Sequence, residues 1–95
     1  MTTKDLSVFR GKIDAIDDEI VQLLARRFGI AAQVAAFKQA NGIAVRLEDR
    51  IEEVLDRVAD KARKNGAQAD AVRAIYQTII ETTCRFEEAR IGKSD

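Results

Sequence analysis

Apolar side chains recur along the first forty residues at alternating intervals of three and four: Leu6, Phe9, Ile13, Ile16, Ile20, Leu23, then Arg27, then Ile30, Val34 and Phe37. That spacing is the seam of a coiled-coil-like helix, because two helical turns take up about seven residues. Nine of the ten positions are apolar, and Arg27 alone breaks the run. No proline interrupts the chain, and two of its five glycines follow asparagine, in Asn41-Gly42 and Asn65-Gly66. Their flanks do not alternate as strands would, so each pair reads as a helix stop in which glycine takes the left-handed conformation. The pattern predicts helices over 4–40, 46–64 and 70–91. The second is expected to bury Leu47, Ile51, Val54, Leu55, Val58 and Ala62, with Glu48 and Asp49 in its first turn, where the helix dipole favours negative charge. The third is expected to bury Val72, Ile75, Tyr76, Ile79, Ile80, Thr83 and Phe86, with Asp70 as its N-cap.

Length turns this pattern into an architecture. A first helix of about 36 residues would run about 54 Å at 1.5 Å per residue, roughly twice the length of either other helix. Two short helices cannot cover its seam from end to end, so the seam must meet another chain. The expected fold is all-α: three helices per chain, one long and two shorter, in an intertwined homodimeric helical bundle.

Composition narrows the chemistry. The 95 residues suit a single domain over 1–95, with no spare segment for a regulatory domain. Sixteen basic and sixteen acidic residues balance to zero net charge, against the basic excess of an unspecific nucleic-acid binder. There is no histidine and one cysteine, Cys84. Zinc sites built from clustered Cys and His, histidine acid–base chemistry and an intrachain disulfide are therefore excluded. No uninterrupted apolar run approaches the ~20 residues of a membrane span, and the N-terminus lacks the apolar core of a signal peptide. No membrane partner is expected, and a reduced, cytoplasmic setting is the simplest reading.

Chemistry should then show as polar groups on faces the pattern buries. Arg27 in the seam needs an anion, either a carboxylate of another helix in a structural ion pair or a ligand. Lys38 lies eleven residues on, which returns to nearly the same helix face some 16 Å along the axis. Ala31 and Ala35 lie between them, with Ala32 and Ala36 alongside. Two cations over a floor of alanines would make a cavity sized for a small dianion. The plainer alternative for Lys38 is a solvated lysine favoured by the C-terminal dipole. Arg10 is 17 residues, about 25 Å, from Arg27 and points elsewhere, so it could join them only from an antiparallel partner helix; otherwise it is a surface arginine. Thr83 and Glu87 fall at i, i+4 on the face of Tyr76 and Ile80, although Glu87 could equally belong to a charged tail with Glu88 and Arg90. Arg46 and Arg50 flank the start of the second helix and read singly as solvated charges. Cys84 reads as a packing residue, with nothing to activate a thiolate.

Together these residues resemble the all-helical class of chorismate mutases. The resemblance runs from about Val8 to Glu88 and is carried by FRGKIDAIDDEIVQLLARR (9–27), FKQANGIAVR (37–46), DRIEEVL (49–55) and IYQTIIE (75–81). It implies a [3,3] rearrangement of chorismate to prephenate in an intertwined homodimer, with no metal or cofactor. Catalysis would come from holding a dicarboxylate in a compact conformation and stabilising charge on the breaking ether oxygen. By resemblance, Arg27 and the partner chain's Arg10 bind the two carboxylates. Lys38 contacts a carboxylate and the ether oxygen, Arg50 sits near the ring end, Thr83 helps seat a carboxylate, and Leu47 offers its backbone near the ring hydroxyl.

Two positions depart from the family pattern. Ile51 stands where a glutamate often binds the ring hydroxyl, which leaves that group to Glu52, to backbone, or less firmly held. Glu87 stands where a glutamine usually donates to the ether oxygen; a carboxylate cannot donate, but a carboxylic acid can. Both departures keep two alternatives open on the same scaffold: isochorismate pyruvate lyase and 4-amino-4-deoxychorismate mutase. A third alternative, of another class, is a non-catalytic helical dimerisation module whose arginines pair only with Asp17, Asp18 or Glu19.

Overall fold

A computed structural model describes residues 2–92, with side chains described over 6–91. Three helices follow in order: α1 (Thr2–Asn41), α2 (Glu48–Lys64) and α3 (Ala69–Gly92). Among the described residues there are no strands, and the all-α expectation holds. The chain divides into two compact units, Met1–Ile30 and Ala31–Asp95, and α1 contributes to both.

The asparagine–glycine pairs end helices as the sequence predicts. Gly42 has φ +64° and Gly66 φ +74°, a region glycine enters without the steric cost of a Cβ. After α1, the Ile43 N–H turns back to the Lys38 carbonyl at 2.9 Å. After α2, Ala67 N–H reaches the Ala62 carbonyl at 2.8 Å and Gly66 N–H the Arg63 carbonyl at 3.2 Å. These are the paired bonds of a Schellman ending, which satisfy carbonyls the helix would otherwise leave open.

Two boundaries differ from expectation. Helix α2 begins at Glu48, with Leu47 in extended conformation (φ −117°, ψ 96°) as an N-cap lacking a side-chain bond. Arg46 lies outside the helix, and its guanidinium reaches Glu81 on α3. Helix α3 begins at Ala69, so Asp70 sits inside the first turn rather than capping it. There its charge meets the positive end of the dipole.

The core of the second unit lies between α2 and α3. Leu55, Ile80 and Cys84 form its centre, with Val45, Ile51, Val54 and Tyr76 packed against it. Each large apolar side chain taken from water here contributes about 1.5–3 kcal/mol. Val58, Ala59 and Ala62 are buried on α2, and Ala31 and Ala35 on the last part of α1. Arg73 adds a link from α3 to α2 through Asp56 and Glu52. Two side chains expected inside, Leu47 and Ile75, are exposed. Their apolar character belongs to faces that this chain does not itself cover.

The seam of α1 is open in the same way. Phe9, Ile13, Ile16, Leu23, Ile30 and Phe37 are each more than half exposed. By length and composition, Leu6–Asn41 would also suffice to cross a membrane. The expectation of no such stretch rested on uninterrupted apolar runs, which Arg26 and Arg27 break. Averaged over a longer window, the surrounding Leu, Ile, Val and Ala outweigh them.

Candidate active site

The polar centre of the second unit is built where the last turn of α1 meets α3. Lys38 sits three residues before the helix end. Its ammonium donates to the Glu87 carboxylate at 2.9 Å and to the backbone carbonyl of Val45 at 2.7 Å. Both charged side chains are largely out of water, at 12% exposure for Lys38 and 8% for Glu87. The solvated-lysine and charged-tail alternatives therefore fall away. An ammonium has three N–H donors. Two of them meet acceptors here, and the third is the one that can serve a ligand.

Thr83 lies one turn before Glu87 on α3, half-buried, and its hydroxyl donates to the Ile79 carbonyl at 2.7 Å. Cys84, beside it, is buried in the core, and burial pushes its thiol above its ordinary value, with the field of Arg46 acting weakly in the other direction. It packs as the sequence suggests.

The segment between α1 and α2 is pinned rather than loose. The Val45 side chain packs against the Leu55–Ile80–Cys84 cluster. Arg46 donates through Nη1 to both Glu81 carboxylate oxygens at 2.9 Å and through Nε to Glu48 at 3.0 Å. These acceptors, Glu48 first, raise the already high affinity of the guanidinium for its proton.

The ring-end candidates take different positions. Arg50, in the first turn of α2, is exposed and bridges to Glu53. The Leu47 carbonyl receives the Ile51 N–H at 3.0 Å, which is the first bond of α2. Ile51 turns toward the core, and Glu52 is engaged by Arg73 at 3.1 Å. Arg27 and Arg10 belong to the first unit; Arg27 is half-buried and Arg10 exposed. The alanine face is present, with Ala35 only 2% exposed. The nearby cavity, of about 280 Å³, is walled by Ala32, Ala35, Ala36, Gln39, Arg90 and Ile91. Lys38 is not among its walls, so this is not the cationic pocket expected from the sequence.

The structure thus joins Lys38 directly to Glu87 and sets Thr83 one turn away. The sequence missed the Val45 carbonyl and the Arg46–Glu81 pair. A backbone acceptor leaves no mark in side-chain patterning. Arg46 and Glu81 are 35 residues apart with no shared periodicity.

The sequence profile of the family described as chorismate mutase type II matches residues 9–88. The chorismate mutase of Methanocaldococcus jannaschii is 32% identical over 76 residues, covering 80% of this chain and 77% of that protein. A 4-amino-4-deoxychorismate mutase of Streptomyces venezuelae is 27% identical over 84 residues, 88% of this chain and 82% of that one. A bifunctional chorismate mutase/prephenate dehydratase of Buchnera aphidicola is 30% identical over 89 residues. That match takes in 94% of this chain but only 23% of the bifunctional protein, so the chain spans about a quarter of such relatives.

Proposed function

This chain belongs to the chorismate mutase type II family, and we propose that it catalyses the rearrangement of chorismate to prephenate. One observation carries the reading. The two residues expected to meet at the reacting ether oxygen, Lys38 and Glu87, are held together by a 2.9 Å bond out of bulk water. In the rearrangement the ether C–O bond breaks as a new C–C bond forms, and negative charge gathers on the oxygen. A fixed ammonium aimed at that oxygen stabilises the charge without reorganising solvent, which is where most of the rate gain in such sites arises. Arg27, Lys38 and Thr83, with the Arg10 of a second chain, would bind the substrate carboxylates. Arg50 and the Leu47 backbone would face the ring end, and in the substrate complex Glu87 would donate as a carboxylic acid. No cofactor or metal enters this mechanism.

The proposal includes an intertwined homodimer in which residues 1–95 act as one catalytic domain. A second copy, rather than lipid, covers the seam of α1. Arg26 and Arg27 lie in the middle of that stretch, and each charge at a bilayer centre costs about 2.5–3.5 kcal/mol. A cytoplasmic setting fits this reading.

One observation favours a second substrate, 4-amino-4-deoxychorismate. A relative named for that substrate aligns over most of both chains. The test is a parallel assay of the purified protein with chorismate, isochorismate and 4-amino-4-deoxychorismate. Preferred turnover of chorismate to prephenate supports the first reading, and turnover of another substrate alone replaces it. Turnover of none, by a folded dimer, leaves the dimerisation module.

A further inference from the structure

We propose that the Arg46–Glu81 ion pair is a positioning element: it fixes the Val45–Arg46 peptide so that the Val45 carbonyl holds the Lys38 ammonium in one orientation. The proposal rests on the reading of Lys38 as the group that touches substrate.

The geometry points this way through the number of acceptors. An ammonium turns about its Cε–Nζ bond, and a single acceptor leaves that rotation and much of the swing of the stem. Two acceptors in different directions fix both, and with them the direction of the third N–H. Lys38 has two such acceptors, Glu87 at 2.9 Å and the Val45 carbonyl at 2.7 Å. Glu87 is set by α3. The Val45 carbonyl lies in the short segment between α1 and α2, and its peptide plane is free to tilt unless something holds the far side. That far side is Arg46. Its planar guanidinium places Nη1 on both oxygens of Glu81, also on α3, while Glu48 holds Nε. A fork engaged on two edges is restricted in orientation as well as distance. Both acceptors of Lys38 are thus referred to one rigid element, α3.

Stability does not account for this pair. Arg46 is 39% and Glu81 49% exposed, and pairs so open to water add little to folding. Arg73, on α3 and 32% exposed, bridges to Asp56 and Glu52 on α2, so it is a control of similar exposure whose partners lie outside the 42–47 segment.

The experiment compares wild type with Arg46→Ala, Arg46→Lys, Glu81→Gln and Arg73→Ala. It reads kcat and KM on the substrate that wild type turns over, and the side-chain ammonium resonance of Lys38 in ¹H–¹⁵N spectra. A held ammonium exchanges its protons with water slowly and gives a sharp signal. Arg46→Ala should lower kcat roughly ten- to a hundredfold, as expected for a misaimed catalytic group, with KM changed less. It should also broaden the Lys38 signal. Arg46→Lys and Glu81→Gln should fall between, and Arg73→Ala should match wild type in both readouts. Unchanged kcat and signal in folded Arg46→Ala would overturn the proposal, as would a kcat loss with the Lys38 signal intact or an equal loss in Arg73→Ala. Should Arg46→Ala not fold, Glu81→Gln, which keeps the side-chain shape, carries the same comparison. If wild type turns over none of the three substrates, the functional reading fails and the Lys38 signal alone decides the positioning claim.

Discussion

Replacing Lys38 by methionine should be among the most damaging single changes in the second unit, and the reason is the company it leaves behind. At 2.9 Å and an effective dielectric of 20, the Coulomb attraction between ammonium and carboxylate is about 6 kcal/mol. Taking two ions out of water costs several kcal/mol each, so the intact pair nets close to zero. Removing one partner leaves the desolvation of the other uncompensated. Lys38→Met strands the Glu87 carboxylate at 8% exposure, at a cost of roughly 3–5 kcal/mol. Glu87→Leu strands the ammonium, which keeps the Val45 carbonyl, so its loss should lie at the lower end of that range. The double variant Lys38→Met/Glu87→Leu removes both charges and fills the space with apolar atoms; it should fall within about 2 kcal/mol of wild type. The measurement is urea unfolding of all four proteins at one fixed chain concentration, with m-values compared. If the two single losses add to the double within about 0.5 kcal/mol, the pair is not coupled in solution and the argument is wrong.

Glu87→Gln, which keeps shape and gains a permanent donor, should retain or raise turnover near neutral pH, whereas Glu87→Ala should lose roughly 2–4 kcal/mol of transition-state stabilisation; an equally inactive, folded Glu87→Gln would refute the donor role. Unfolding midpoints should rise with chain concentration, as for an obligate dimer, and a folded, active monomer in sedimentation would end that reading. Arg10→Ala and Arg27→Ala should each be nearly inactive, but mixing them should restore about a quarter of wild-type site activity, since half the dimers are mixed and one of their two sites escapes both lesions; no recovery would place Arg10 outside the partner's site. Burial raises the Cys84 thiol above its ordinary 9.0, so the native state keeps that proton while the unfolded chain releases it. The Cys84 contribution to stability should therefore be whole below about pH 9 and decline above it, a decline that Cys84→Ala should lessen; alkylation should be slow in native protein and fast in urea.

The helices were legible because their signals are local. A seam at three-and-four spacing, no proline and two Asn-Gly stops are readable within a few residues of one another, and the helix ends at Asn41 and Lys64 lie within one residue of where the sequence put them. Lys38 and Glu87 were legible singly, as charges on faces that should be apolar. From the residues alone their bond to each other was not, because 49 residues separate them and side-chain reach is a property of packing; only the family resemblance set both at one oxygen. Leu47 and Ile75 show the opposite limit. Apolar periodicity says which side chains avoid water, but not whether this chain or another supplies the cover. Arg46 escaped because its conformation depends on how the Gly42 turn redirects the chain, which no propensity encodes.

The helix packing described above also sets an order of events during self-assembly. Helices α2 and α3 are neighbours in sequence and share a core, so their association is a local, unimolecular step of the kind that finishes in microseconds to milliseconds. The seam of α1, with Phe9, Ile13, Ile16 and Ile30 more than half exposed, is closed on the proposed reading only when a second chain arrives. That encounter slows in proportion to dilution. Refolding should therefore separate into a fast phase indifferent to concentration and a slower phase that tracks it. Between the two phases the chain carries an uncovered apolar stripe, and off-pathway aggregation should start there.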